Sequence, residues 1–144
     1  AAMALIIDTF CSSSKLLKTL TGHTNYLYSI DYSLFDNIQF ICSGSDDKTV
    51  CVWDVENHKC VRLFNGHSRA VHCVEFSSYC YHNYHRNVVY SASYDKTIRF
   101  WDIKDNQQLQ VFNEHINGVV TIKFSQFNGG RYLCSGSADT TMRL

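Results

Sequence analysis

Short runs rich in Val, Ile, Tyr and Phe, separated by clusters of Gly, Asn, Asp and Ser, occupy most of this chain. Runs of that length and make-up predict β-strands joined by turns. Four fall at 26–32, 39–43, 49–54 and 60–64, and four more at 70–76, 88–91, 97–102 and 109–112. Three others follow at 118–124, 132–135 and 141–144. An earlier pair, 5–8 and 15–20, reads as the last two strands of a preceding unit, with Ile7 where later units carry Trp. The third strand of each full unit is apolar on both faces: Val50 and Val52 alternate with Cys51 and Trp53, and Ile98 and Phe100 lie opposite Trp101. A sheet with one face in water alternates apolar with polar, so these sheets are expected to be sandwiched between neighbours.

The units also repeat one another residue by residue. Gly22-His23 is followed by Ser43, Asp47 and Trp53, Gly66-His67 by Ser91, Asp95 and Trp101, and His115 by Ser135 and Asp139. His23 to His67 is 44 residues, while His67 to His115 and Trp53 to Trp101 are each 48. Those periods suit a four-stranded blade of ~40–45 residues better than a helix-pair repeat of ~34. The pattern resembles the WD40-repeat family of β-propellers, whose signature is a Gly-His pair followed later by Trp-Asp. The likeness covers nearly the whole chain, from about Leu5 to Leu144.

The resemblance implies an all-β fold, a partial propeller arc of four-stranded antiparallel meanders. Residues 1–20 would be a half-blade, 21–64 a first repeat, 65–112 a second, and 113–144 a truncated third whose register places a Trp one position past Leu144. Propellers close with about four to eight blades. The expectation is therefore a fragment of a longer propeller, with self-assembly of arcs into a closed ring as the alternative.

Composition narrows the function. An apolar content of 45% with 14% aromatic residues supports a packed core. Thirteen basic and thirteen acidic residues cancel, and the basic ones are scattered, so the footprint of a nucleic-acid or membrane-surface binder is lacking. No apolar run reaches the ~18 residues of a membrane span. The seven cysteines, 11, 42, 51, 60, 73, 80 and 134, are odd in number, contain no CxxC and fall mostly in strand-like runs. They read as small buried hydrophobes in a reducing, intracellular compartment, cytoplasmic or nuclear.

Ser43, His23 and Asp47 are the residue types of a hydrolase triad, as are Ser91, His67 and Asp95. A catalytic site is needed once, however, whereas this set recurs, lacks a G-x-S-x-G elbow and travels with Trp. The family resemblance implies a buried network instead, in which Asp accepts from His, His engages Ser, and Ser meets the indole N–H. His23, Ser43, Asp47 and Trp53 would form the first, His67, Ser91, Asp95 and Trp101 the second, and His115, Ser135 and Asp139 the third. With Glu114 in place of Gly and no Trp, the third should be the weakest.

The loop carrying each His and the turn carrying each Asp lie at one end of a meander. Their neighbours should share one rim: Tyr26, Tyr28 and Asp46, then Arg69, His72 and Tyr94, then Val120 with Ala138. By resemblance, this is the face with which many WD40 proteins grip peptides, and Tyr and Arg are enriched at binding hot spots. At the opposite end, 77–87 is four residues longer than its counterparts and carries Cys80, His82 and His85. It reads as a zinc ligand set lacking an evident fourth member, an aromatic interaction loop, or a tolerated insertion. The resulting expectation is a non-catalytic scaffold for protein or peptide partners, with no cofactor and no metal. A substrate-receptor or reader subunit of an enzyme complex, such as a ubiquitin ligase or a chromatin complex, is the alternative.

Overall fold

In the computed structural model, which describes residues 2–6, 15–125 and 131–144 with side chains from residue 18 onward, each strand pairs antiparallel with the next. β1 (Ala2–Ile6) and β2 (Lys15–Leu20) form a two-stranded ribbon. β3 (Leu27–Phe35), β4 (Ile38–Ser45), β5 (Val50–Asp54) and β6 (Lys59–Phe64) make a four-stranded meander. A second follows from β7 (Val71–Phe76) through a helix, α1 (Ser78–Tyr84), to β8 (Val88–Ser93), β9 (Ile98–Asp102) and β10 (Gln107–Phe112). β11 (Val119–Phe124), β12 (Leu133–Ser137) and β13 (Met142–Arg143) give a three-stranded sheet. These are blades of an open propeller arc. Ile7, Asp8 and Cys11, on which part of the sequence reading rests, lie outside the described residues.

Turn chemistry sets the hairpins. Asp36 and Asn37 turn β3 into β4 with φ of 49° and 64°, the paired positive angles of a two-residue hairpin turn that Asp and Asn tolerate. β3 therefore runs to Phe35, three residues past the expected 26–32. The three turns that carry the recurring Asp share one shape: Lys48, Lys96 and Thr140 follow that Asp with φ of 73°, 75° and 67°. Each donates its N–H to the Ser three residues back, at 3.1, 3.1 and 3.2 Å.

In the second meander the chain forms α1 where the sequence suggested only a loop. Ser77 caps it by accepting the Cys80 N–H at 2.9 Å, and His85 ends it with φ of 50°. A seven-residue helix is too short to stand alone in water, so tertiary contacts must hold it. Tyr81 supplies one: its hydroxyl donates to Asp36 Oδ1 and accepts the Asp36 N–H, both at 3.1 Å, while its ring lies 4.9 Å from that of Phe35. The helix thus clamps the second meander to the first hairpin.

The sheets pack face to face. Val71, Val74 and Phe76 of β7 enter a core with Phe35, Cys42, Val50, Val52 and Phe64 of the preceding sheet. Val119 and Ile122 of β11 join Val88, Tyr90, Ala92 and Ile98 in the next. The four apolar residues Val50, Cys51, Val52 and Trp53 are all buried, as expected for a sandwiched strand. On β3, by contrast, Ile30, Tyr32 and Leu34 form an exposed apolar stripe.

Polar side chains also stitch neighbouring innermost strands. Asp31 accepts the Phe76 N–H at 2.8 Å, and Ser29 Oγ accepts that of Val74 at 3.1 Å. Glu75, at the place in its repeat that Asp31 has in the first, accepts the Phe124 N–H at 3.2 Å and binds Lys123 Nζ at 2.8 Å. Strand edges carry unpaired N–H groups that need partners, and these carboxylates supply them. No helix among the described residues is long and apolar enough to cross a membrane.

Candidate functional site

The recurring His, Ser and Asp meet in all three sheets. In the first, His23 Nδ1 lies 2.8 Å from Asp47 Oδ2, His23 Nε2 lies 2.8 Å from Ser43 Oγ, and Trp53 Nε1 donates to Ser43 Oγ at 2.8 Å. The second repeats this through His67, Asp95, Ser91 and Trp101, at 2.8, 2.7 and 2.8 Å. In the third, His115 meets Asp139 at 2.8 Å and Ser135 at 2.9 Å. The indole can only donate, so Ser accepts from it and turns its own proton toward His Nε2. That assigns the Nδ1–H tautomer, with the proton directed at the carboxylate.

Two further members recur that the sequence reading did not single out. Thr49, Thr97 and Thr141, two residues after the Asp, each donate a hydroxyl to it at 2.6 Å. Ser45, Ser93 and Ser137, two residues before it, accept its N–H at 3.0–3.1 Å. Their recurrence at fixed offsets was the available signal.

These donors set the electrostatics. Burial works against ionisation of Asp47, but the Thr49 hydroxyl, the Thr24 N–H and His23 outweigh it and hold the carboxyl at about 2. Burial is likewise outweighed at Asp95 by His67 and Thr97, and the Thr141 hydroxyl leads the set that keeps Asp139 well below the carboxylate range. Burial lowers the His67 imidazole in spite of Asp95. Ser43 and Ser91 are fully buried, and each hydroxyl already meets an indole and an imidazole.

In the first two copies the indole dictates the glycine before His. A Cβ on Gly22 would sit 2.8 Å from the Trp53 ring, and one on Gly66 would sit 2.9 Å from Trp101. In the third copy the position takes Glu114, which lines a cavity of about 580 Å³ together with Phe100, Phe112 and Leu133. Phe64, three residues before His67, stacks on Trp101 at 5.2 Å. Its counterpart Phe112 lies 5.1 Å from the ring of Phe100.

On the rim, Tyr28 and His72 stack at 4.4 Å with planes 12° apart, and His72 meets Tyr94 at 5.1 Å. An aromatic row therefore bridges two sheets, and Gly118 packs so closely on Tyr94 that a Cβ there would lie 2.7 Å from the ring. Tyr28 also donates to Asp46 at 3.4 Å, and Tyr26, Arg69 and Val120 are exposed nearby along the same loops. At the other end, Cys80 lies under Tyr90, 3.3 Å from its hydroxyl, and does not join His82 and His85. Among the described residues no three His, Cys, Asp or Glu side chains converge as a metal site.

The family model "WD domain, G-beta repeat" matches residues 14–54, 58–102 and 106–144. Cell division control protein 4 of Saccharomyces cerevisiae is 33% identical over 67 residues, which is 46% of this chain and 8% of that protein. Nuclear distribution protein PAC1 of Scheffersomyces stipitis is 38% identical over 66 residues, 42% of this chain and 12% of its own. Coatomer subunit beta'-1 of Arabidopsis thaliana is 34% identical over 58 residues, 40% of this chain and 6% of its own. The matched stretches thus span 6–12% of these curated relatives.

Proposed function

The chain belongs to the WD40 repeat family, and on that premise we propose that it is a non-catalytic interaction scaffold whose rim, around Tyr28, His72 and Tyr94, receives a protein or peptide partner. One observation carries the reading: the catalytic-looking residues are buried and mutually satisfied, while the aromatic row beside them is open to solvent. Tyr28 keeps 47% of its surface exposed and Tyr94 39%, whereas Ser43 and Ser91 keep none. Aromatic side chains fixed by stacking lose little entropy on binding and supply large contact areas. The same reading makes each His-Ser-Asp set a pin that fixes the loops bearing the rim.

Relatives lend direction to this proposal. One is named as a coatomer subunit, hence a member of an assembly, and two for cell division control and nuclear distribution. Such names fit a surface that joins proteins. The test is quantitative affinity capture with the wild-type chain, Tyr28→Ala and Tyr94→Ala, with melting temperatures measured alongside. The expected result is loss of a defined set of bound proteins from both variants, at a stability cost of about 1 kcal/mol or less. Equal capture by all three chains would refute the rim assignment.

A further inference from the structure

Resting on that reading of the rim, we propose that its first-repeat end binds the guanidinium of an arginine in the partner segment, held by Asp46 between Tyr26 and Tyr28. Asp46 stands out among the acids nearby. Asp47, Asp95 and Asp139 are each bound to His and Thr, and Glu75 is bound to Lys123. Asp46 makes no ion pair among the described residues. Its Oδ2 accepts from Asn25 Nδ2 at 2.7 Å, which orients the carboxylate. Its Oδ1 meets only the Tyr28 hydroxyl, at a long 3.4 Å, and so retains acceptor capacity facing solvent.

The aromatic neighbours suit a flat cation. Tyr26 is 76% exposed, and its ring has no ring partner among the described residues. Its carbonyl accepts the Asp46 N–H at 2.8 Å, which ties ring and carboxylate to one another. A shallow depression of about 440 Å³ lined by His23, Thr24, Asn25, Tyr26 and Leu27 adjoins them. A planar guanidinium can stack on a phenol ring while its N–H fork engages a carboxylate. A lysine ammonium is more strongly hydrated and has no plane to stack.

Of the three repeats, the first alone carries this set. Tyr94 and Ala138 occupy the Asp46 position in the other two repeats, and Arg69 replaces Asn25 in the second. The rim is therefore polar in sequence order, acidic over the first sheet and basic over the second. That asymmetry fixes which way along the aromatic row a segment with one arginine lies.

The test is an NMR titration of the chain with Ac-Gly-Gly-Arg-Gly-Gly-NH2, beside versions carrying citrulline or lysine in place of arginine. Saturable shifts at Asn25, Tyr26 and Asp46 are expected with the arginine peptide, at least fivefold weaker with citrulline and weaker again in Asp46→Asn. That variant should melt like the wild type, since among the described residues the Asp46 side chain hydrogen-bonds only Asn25 and Tyr28. Equal response to citrulline, or to lysine, would overturn the guanidinium site while leaving the rim as the binding face. No response at any rim residue to any of these peptides, alongside partner capture that Tyr28→Ala does not weaken, would overturn both.

Discussion

Replacing Ser91 with alanine should destabilise the chain far more than the loss of one hydroxyl suggests. Ser91 is fully buried, accepts the Trp101 indole N–H at 2.8 Å and meets His67 Nε2 at 2.7 Å. Its removal strands both partners in a site closed to water. Each orphaned buried group costs about 1–3 kcal/mol, so Ser91→Ala should cost about 2–6 kcal/mol. Chemical denaturation of Ser91→Ala reads the cost directly, and because Ser91 and Trp101 share one hydrogen bond, the double variant Ser91→Ala with Trp101→Phe should cost less than the sum of the two single variants. Fully additive costs, or a Ser91→Ala cost below about 0.5 kcal/mol, would refute the reasoning.

Acid should weaken the fold in two stages. His67 is held below its ordinary value by burial, so the folded state favours neutral imidazole. That contribution is complete above the unfolded value of about 6.5 and is lost as pH falls below it. Asp47, at about 2 when folded, contributes above its unfolded value of about 3.9 and loses that contribution as pH falls toward 2. Melting temperature should thus decline from pH 7 to 5 and again below 4; a flat profile from 8 to 5 would contradict the His67 assignment, and no further decline between 4 and 2 would contradict that of Asp47. Thr140 holds a φ of 67°, a strained angle for a β-branched residue. Thr140→Gly should raise stability by up to about 1 kcal/mol, and a lower denaturation midpoint would count against it. Tyr81→Phe removes the hydroxyl that accepts the Asp36 N–H. Amide exchange at Asp36 should accelerate, at a cost of about 0.5–1.5 kcal/mol, and unchanged exchange would mean that α1 is held by other contacts.

The sequence revealed what recurs and concealed what does not. Strands such as 60–64 and 88–91 differ from β6 and β8 only at their ends, because alternating apolar residues between turn formers leave few other conformations. The His, Ser, Asp and Trp positions announced themselves by fixed spacing, and Thr49 with its counterparts was visible in the same way. The contacts of Asp31 and Glu75 were not, since each caps an N–H 45 or 49 residues away and nothing local marks it. Helix α1 was hidden for a related reason. Its cap Ser77 is an ordinary residue, and the clamp that stabilises it, Tyr81 on Asp36, exists only once two sheets have packed. The rim residues were named from loop adjacency, but the stacking of His72 between Tyr28 and Tyr94 required the angle between blades.

Which face meets the partner is tested most directly by site-specific photo-crosslinking. A benzophenone side chain would replace Tyr94 on the rim or, separately, Tyr84 on α1, which is 62% exposed at the opposite end of the sheets. The rim reading predicts a discrete crosslinked partner from position 94, abolished by Tyr28→Ala, and none from position 84. A partner trapped from position 84 alone would contradict it.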